Sequence, residues 1–402
     1  MHIPANKNLA NKHILLGVTG SIAAYKAAEL VRRLREGGAE VRVVLSAGGA
    51  EFVTPLTFQA LSGNPVHSEL LDTGAEAAMG HIELARWADA VVVAPASANV
   101  IARLAQGRVD DLLAAVCLAT EVPVAVAPAM NQQMWANAAT QDNLQRLRAR
   151  GVHQFGPAEG GQACGETGLG RMLEADDIAR HTAGLFDTGA LAGLRVLVTA
   201  GPTQEAIDPV RYLSNRSSGR MGYAMAQAAA EAGAQVALVS GPTALITPPC
   251  VERIDVRSAE EMHRAVLARA TDADIFIATA AVADYRPVAP AQQKIKKTAD
   301  SLSLELVRNP DILADVAALT DGPLTVGFAA ETENLLEHAR DKLAYKGLDM
   351  IAANRVGNGL GFEAEENALS VIDAEGVTEL AQAPKAQLAR RLIALVAERH
   401  HF

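Results

Sequence analysis

Short continuous apolar runs, each followed by a stretch with helical spacing, constrain this chain more than any other feature. Ile14–Thr19, Val41–Leu45, Ala90–Ala94 and Val122–Ala127 are such runs in the first half. Strands that are apolar along their whole length belong to parallel sheets covered on both faces. Between the first two lies a helical pattern whose apolar face reads Ile22, Tyr25, Ala28, Leu30, Val31 and Leu34, ended by Gly37 and Gly38. The series starts over after Asp187–Gly189. Leu194–Thr199 is a second opening strand. A helix over Met221–Ala232 follows, then strands over Gln235–Ser240, Asp274–Ala280, Leu324–Ala329 and Asp349–Ala353, and a closing helix over Lys385–Arg399. With 402 residues the chain exceeds the usual size of one core. The pattern predicts two doubly wound, Rossmann-like α/β domains, residues 1–189 and 190–402. The restart is one of architecture, not of sequence.

The balance of residues excludes several classes of function. A net charge of −10 opposes nucleic-acid binding, which needs clustered Lys and Arg. Aromatics at 4% are too sparse for stacking platforms along single strands. Cys117, Cys164 and Cys250 are odd in number and far apart, so they form neither a disulfide framework nor a zinc spacing. The reduced cytoplasm is the expected compartment. The first eight residues lack the apolar core of a signal peptide, and no apolar run reaches the ~20 residues of a membrane helix.

Neither opening turn carries the dinucleotide fingerprint. The first has Gly17, Gly20 and Ser21 without the third glycine; the second is a long loop from Gly201 to Gly219. No phosphate-binding P-loop occurs. Gly20 and Ser21, at a strand-to-helix turn, suit a single phosphate such as that of FMN, though an ordinary turn reads the same way. Ser46, Ser97, Asn99 and Asn131 each follow a strand, at the edge where doubly wound sheets gather ligands. His81 opens an amphipathic stretch. Cys164 lies among five glycines between Gly160 and Gly170, a run expected to be a mobile loop. A thiol there is either a reactive group on a closing flap or an incidental surface cysteine.

Taken in order, the segments Gly17–Lys26, Gly80–Ala85, Pro95–Asn99, Pro128–Trp135 and Gly161–Met172 resemble the homo-oligomeric flavin-containing cysteine decarboxylases. In the second half, Thr199–Thr203, Asp208–Arg211, Asn215–Gly222, Ala283–Tyr285, Lys294–Lys297 and Gly327–Thr332 resemble bacterial phosphopantothenate–cysteine ligases. Nearly the whole chain is covered, as in the bifunctional coenzyme A biosynthesis proteins that fuse both activities.

The resemblance implies a flavodoxin-like FMN domain followed by a nucleotide-dependent ligase domain. An N-acyl cysteine has no electron sink beside its carboxylate; oxidation of its thiol by flavin creates one, CO2 leaves, and re-reduction restores the saturated thiol. His81 is then the early base, Asn131 holds the substrate carboxylate, and Cys164 protonates the enethiolate carbon. Gly20, Ser21, Ser46, Ser97 and Asn99 surround FMN. In the second half, CTP and Mg2+ are implied for joining 4′-phosphopantothenate to L-cysteine through an acyl-cytidylate. Lys294 stabilises phosphate charge, and Asn215 orients the acyl-cytidylate or the attacking amine. Asp284, Pro310, Asp311, Ile312, Leu313, Phe328, Lys342 and Lys346 complete the implied CTP set; Arg211 is a guess for the substrate phosphate. No resident metal site is implied. A homo-oligomer built from trimers, a dodecamer, is expected. Two rivals stand beside this reading. A regulatory flavoprotein of the same family would not need Lys294, Asp284 and Asn215, and a nicotinamide-dependent oxidoreductase would need the missing fingerprint.

Overall fold

The computed structural model describes residues 9–70, 80–296, 302–331, 334–355 and 366–400. Lys297 and Thr332, which end two of the motifs above, lie outside them, as do the first eight residues. The chain divides into two compact units, Met1–Phe186 and Asp187–Phe402.

In the first unit, β1 (His13–Val18), β2 (Glu40–Leu45), β3 (Val66–His67), β4 (Ala90–Ala96), β5 (Val124–Pro128) and β6 (His153–Gln154) form one sheet. Its order is β3-β2-β1-β4-β5-β6, and every pairing is parallel. The central strands are apolar on both faces because both faces are covered. Leu16, Val43 and Val92 share a buried cluster with Leu30, Val31 and Leu34 of helix Ala24–Glu36. Leu15, Val91 and Val93 share another with Ile101 and Leu113. The order is that of the doubly wound Rossmann arrangement; flavodoxin itself has 2-1-3-4-5. The two resemble each other as parallel sheets wrapped by helices.

Two details differ from the sequence-based expectation. Ile22 and Tyr25 do not join the core: they are 60% and 63% exposed. Helix Ala24–Glu36 starts after Ile22, and its inward stripe is Ala24, Ala27, Leu30, Val31 and Leu34, which leaves Tyr25 off the buried face. The glycine-rich run around Cys164 is not a structureless loop. It folds into an antiparallel hairpin of β7 (Ala158–Gly161) and β8 (Thr167–Arg171). Its glycines serve close approach. A Cβ on Gly170, whose φ is +134°, would lie 2.4 Å from the Met130 carbonyl oxygen, and one on Gly168 would lie 2.1 Å from Gln132 Oε1.

The second unit holds β9 (Arg195–Ala200), β10 (Gln204–Ala206), β11 (Tyr212–Ser214), β12 (Gln235–Ser240), β13 (Val251–Asp255), β14 (Ile275–Ala278), β15 (Tyr285–Pro287), β16 (Leu306–Arg308), β17 (Leu324–Glu331), β18 (Met350–Arg355), β19 (Glu366–Asp373) and β20 (Gly376–Pro384). Its main sheet runs β13-β12-β9-β14-β17-β18-β19-β20. The first six strands are parallel and repeat the doubly wound order; β19 and β20 extend it antiparallel. Helix Lys385–His400 closes one face, its Leu388, Leu392 and Val396 sharing a cluster with Met225, Ala226 and Ala229 of helix Arg220–Glu231. The loop from Gly201 to Gly219 carries the small hairpin β10–β11, and a second hairpin pairs β15 with β16.

Candidate active sites

In the first unit the strand order reverses between β1 and β4, so the loops leaving those strands form the natural ligand crevice. Thr19, fully buried and not singled out in the sequence, ties the two loops together. Its Oγ1 donates to the Pro95 carbonyl at 2.7 Å and accepts from the Ser97 N–H at 3.0 Å. Gly20 presses on the next loop: a Cβ there would meet the Gly48 backbone at 3.1 Å. Nothing among the described residues accepts from the N–H groups of Gly20 and Ser21, and free N–H groups ahead of a helix are what a phosphate needs. The Ser46 and Ser97 hydroxyls cap helices through Gly49 N–H (3.1 Å) and Val100 N–H (3.4 Å). Asn99 is exposed in the first turn after Ser97.

The loop after β5 brings Asn131 to the same edge. Its Oδ1 accepts from the Gln133 N–H at 2.8 Å, which fixes the side-chain plane and turns Nδ2 toward the hairpin. Nδ2 donates to Glu166 Oε2 at 2.7 Å, Gln162 Oε1 at 3.3 Å and Cys164 Sγ at 3.4 Å. The Met130 N–H donates to the Gly170 carbonyl at 2.9 Å, which docks the hairpin on this loop. Asn131 and Cys164, distant in sequence, are thus in contact. Cys164 is exposed, as a reactive thiol must be. Gln162 and Glu166 complete the cluster and were missed by sequence reasoning, because a half-buried Gln and an exposed Glu in a glycine run carry no periodic signal. His81 is half-buried in the first turn of helix Gly80–Trp87. The described residues give it no hydrogen-bond partner, and it is not brought against Asn131 or Cys164.

Gly170→Ala tests the docking. The added Cβ cannot coexist with the Met130 carbonyl, so the hairpin should detach. Cleavage within residues 158–171 by a nonspecific protease should rise about tenfold or more, because proteolysis follows the open population. The unit's circular dichroism should be unchanged. Unaltered cleavage would mean that Gly170 does not hold the hairpin.

In the second unit the crevice lies between β9 and β14. Gly201, Gly219 and Gly241 crowd there: a Cβ on Gly241 would overlap the Pro202 carbonyl oxygen, and Gly201 and Gly219 both abut Thr243. Asn215 leaves the β10–β11 hairpin and donates to the Val282 carbonyl at 2.9 Å, which sets it beside the segment leading to Asp284. Asp284 is exposed. Lys294 and Lys296 are exposed, but the backbone between them is moored. The Ile295 N–H donates to Asp208 Oδ2 (3.1 Å), and Arg211 Nη2 donates to the Ile295 carbonyl (2.9 Å). Arg211 also grips the inaccessible Asp208 carboxylate through Nε at 3.0 Å and Nη2 at 2.6 Å. That guanidinium, with backbone N–H groups behind it, holds the Asp208 carboxyl far below its ordinary range. Arg211 therefore serves the protein's own loop in this structure.

The remaining residues of the implied nucleotide set cluster at the end of β17. Lys342 Nζ donates to the Phe328 carbonyl at 3.0 Å, and Lys346 pairs with Asp311 at 2.6 Å. Partial burial pushes the Asp311 carboxyl up; Lys346 and the Ala314 N–H more than offset it, and the net shift is downward. Ile312 and Leu313 place their side chains in the core, so only their backbones, with Pro310 before them, are left to face a ligand. Among the described residues no group of three or more His, Cys, Asp or Glu could hold a metal ion, and no helix is long and apolar enough to cross a membrane.

Each unit is a doubly wound α/β domain with a ligand crevice at its switch point, and the first carries a docked thiol hairpin beside a turn with free N–H groups. Comparison with known proteins gives the class. Residues 2–187 match the Flavoprotein family, and residues 191–400 match the DNA/pantothenate metabolism flavoprotein C-terminal domain. The coenzyme A biosynthesis bifunctional protein CoaBC of Vibrio cholerae is 57% identical over 396 residues, which span 98% of this chain and 99% of that one. Among solved structures, the C-terminal domain of a coenzyme A biosynthesis bifunctional protein CoaBC is 40% identical, covering 52% of this chain and 97% of that chain with a TM-score of 0.45. A PPC decarboxylase mutant complexed with pantothenoylaminoethenethiol is 33% identical, covering 42% and 96%, with a TM-score of 0.38. The chain belongs to the family of bifunctional coenzyme A biosynthesis proteins.

Proposed function

We propose that residues 1–189 carry the FMN-dependent decarboxylation of 4′-phosphopantothenoylcysteine and residues 190–402 the CTP-dependent ligation that makes it. The observation that carries the first assignment is the contact of Asn131 with the Cys164 hairpin. An amide donor beside a thiol supports the reading of Asn131 as holder of the substrate carboxylate and of Cys164 as acid for the adjacent carbon. Bound FMN supplies the two-electron oxidation of the substrate thiol and the later reduction. The free N–H groups of the Gly20–Ser21 turn would hold its phosphate, and Ser46, Ser97 and Asn99 would help hold the rest of the cofactor. His81 takes the thiol proton, Asn131 orients the carboxylate, and Cys164 delivers a proton once CO2 has gone.

In the second unit, Lys294 faces the phosphates of CTP and neutralises charge as the acyl-cytidylate forms and pyrophosphate leaves. Mg2+ enters with the triphosphate. Asn215 orients the acyl-cytidylate for the cysteine amine, while Asp284, Phe328, Lys342, Lys346 and the Pro310–Leu313 backbone hold the nucleotide. The exposed Ile22, Tyr25, Phe52 and Leu56 support a homo-oligomer, for which a dodecamer built from trimers, in the cytoplasm, is the proposed form.

Omitting CTP separates the two activities. The protein should be yellow with the spectrum of bound FMN. It should release CO2 from 4′-phosphopantothenoylcysteine without CTP, yet make none from 4′-phosphopantothenate and cysteine until CTP is added. Expressed separately, residues 1–189 should retain CO2 release and residues 190–402 should retain ligation. CTP-dependent CO2 release from the preformed acyl-cysteine, or ligation by the first piece, would overturn the assignment.

A further inference from the structure

The side chain that Asn131 meets most closely is a carboxylate. Nδ2 stands 2.7 Å from Glu166 Oε2, nearer than either of its other acceptors, and Gln132 Nε2 reaches the same oxygen at 3.3 Å. Two amides from the β5 loop thus converge on one carboxylate of the flap. Hydrogen bonding, from Asn131 first and Gln132 next, holds the Glu166 carboxyl below its ordinary range, so it is charged at neutral pH. Glu166 lies two residues beyond Cys164 in a closed turn, in which the Gln162 N–H donates to the Glu166 carbonyl (2.8 Å) and the Gly165 N–H to the Gln162 carbonyl (2.9 Å). Wherever Glu166 goes, the thiol goes with it.

We propose that Glu166 is the internal occupant of the substrate-carboxylate site, displaced when the substrate binds and restored when CO2 leaves. The inference rests on the reading of Asn131 as the carboxylate binder. The two hydrogens of Nδ2 already face three acceptors, so a further carboxylate can enter only by evicting one. Like charge selects Glu166, since two carboxylates on one amide repel each other. Evicting it lifts the tip of the flap and carries Cys164 from the amide. Decarboxylation removes the competing charge, Glu166 returns to Asn131, and Cys164 comes back with it to 3.4 Å from Nδ2. The exchange makes protonation follow CO2 loss. It also weakens every carboxylate-bearing ligand relative to its carboxylate-free counterpart.

The test uses two unreactive ligands and the FMN-loaded full chain. 4′-Phosphopantothenoylserine has a hydroxyl in place of the thiol, and 4′-phosphopantothenoylethanolamine is the same molecule without the carboxylate. Each is titrated while the flavin absorbance, which reports only the first unit's site, is followed. A neutral amide at 166 loses the charge-assisted hydrogen bond and the repulsion. Glu166→Gln should therefore tighten the serine ligand about tenfold relative to the ethanolamine one. Glu166→Ala should shift the ratio at least as far. A general loosening of the flap would move both ligands together; that result, or an unchanged ratio in both variants, overturns the proposal while leaving the role of Asn131 intact. FMN-loaded wild-type protein whose flavin does not respond to the serine ligand would overturn the Asn131 reading and this inference with it.

Discussion

Cys164→Ser should convert substrate to a product two hydrogens lighter than 4′-phosphopantetheine. The thiol is exposed and touches Asn131, and in the proposed mechanism it protonates the carbon that has just lost CO2. A serine hydroxyl is a far weaker acid than a thiol of pKa ~8.5. Loss of a positioned acid costs roughly 10²–10⁴ in rate. The early steps, which do not use Cys164, should continue, so CO2 is released and the unsaturated aminoenethiol accumulates. His81→Asn should behave oppositely: with the base gone, neither CO2 nor unsaturated product forms. Mass spectrometry of both reaction mixtures orders the two residues along one pathway. Saturated product from Cys164→Ser at the normal rate would remove the thiol from the chemistry, leaving the hairpin's docking without a catalytic purpose.

Lys294→Gln should depress ligation by roughly 10²–10³, equivalent to about 2.7–4 kcal/mol of transition-state stabilisation. The expectation follows from how its loop is built. Asp208 and Arg211 hold the Ile295 backbone by both its N–H and its carbonyl, while the described residues offer the Lys294 ammonium no acceptor. The backbone is fixed and the charge is left for a ligand. Decarboxylation of supplied 4′-phosphopantothenoylcysteine should be unaffected, which controls for folding. Asn215→Asp should differ in kind: if Asn215 has its proposed orienting role, acyl-cytidylate should form and persist, because that amide has become a charge. Ligation by Lys294→Gln within twofold of wild type would return that lysine to an ordinary surface role.

What could be read in advance follows from how each element is stabilised. Strands such as β4 and β12 were legible because burial on both faces leaves an apolar run that a sequence displays directly. Helix Arg220–Glu231 was legible within a residue at each end, since its small and apolar residues recur at helical spacing. The β7–β8 hairpin was not. Its glycines look like disorder in one dimension, and their reason, the nearness of the Met130 carbonyl and Gln132, exists only once the chain has folded. Glu166 was invisible for the same reason: its meaning comes from Asn131, which lies 35 residues away. Tyr25 was misplaced because an apolar residue beside a buried stripe reads as part of it. Asn131 and Cys164 were singled out through motifs and Lys342 and Lys346 through their spacing on one helix face, and the structure gives each a contact that the sequence does not display.

The most direct test of two activities in one chain is a carbon and nucleotide balance. The full protein is incubated with FMN, 4′-phosphopantothenate, L-cysteine carrying a labelled carboxyl carbon, CTP and Mg2+. Labelled CO2, CMP, pyrophosphate and 4′-phosphopantetheine should appear in equal amounts, and Lys294→Gln should suppress all four together. CMP formed without labelled CO2, or CO2 formed without CMP, would show that one of the two sites does not do the chemistry assigned to it.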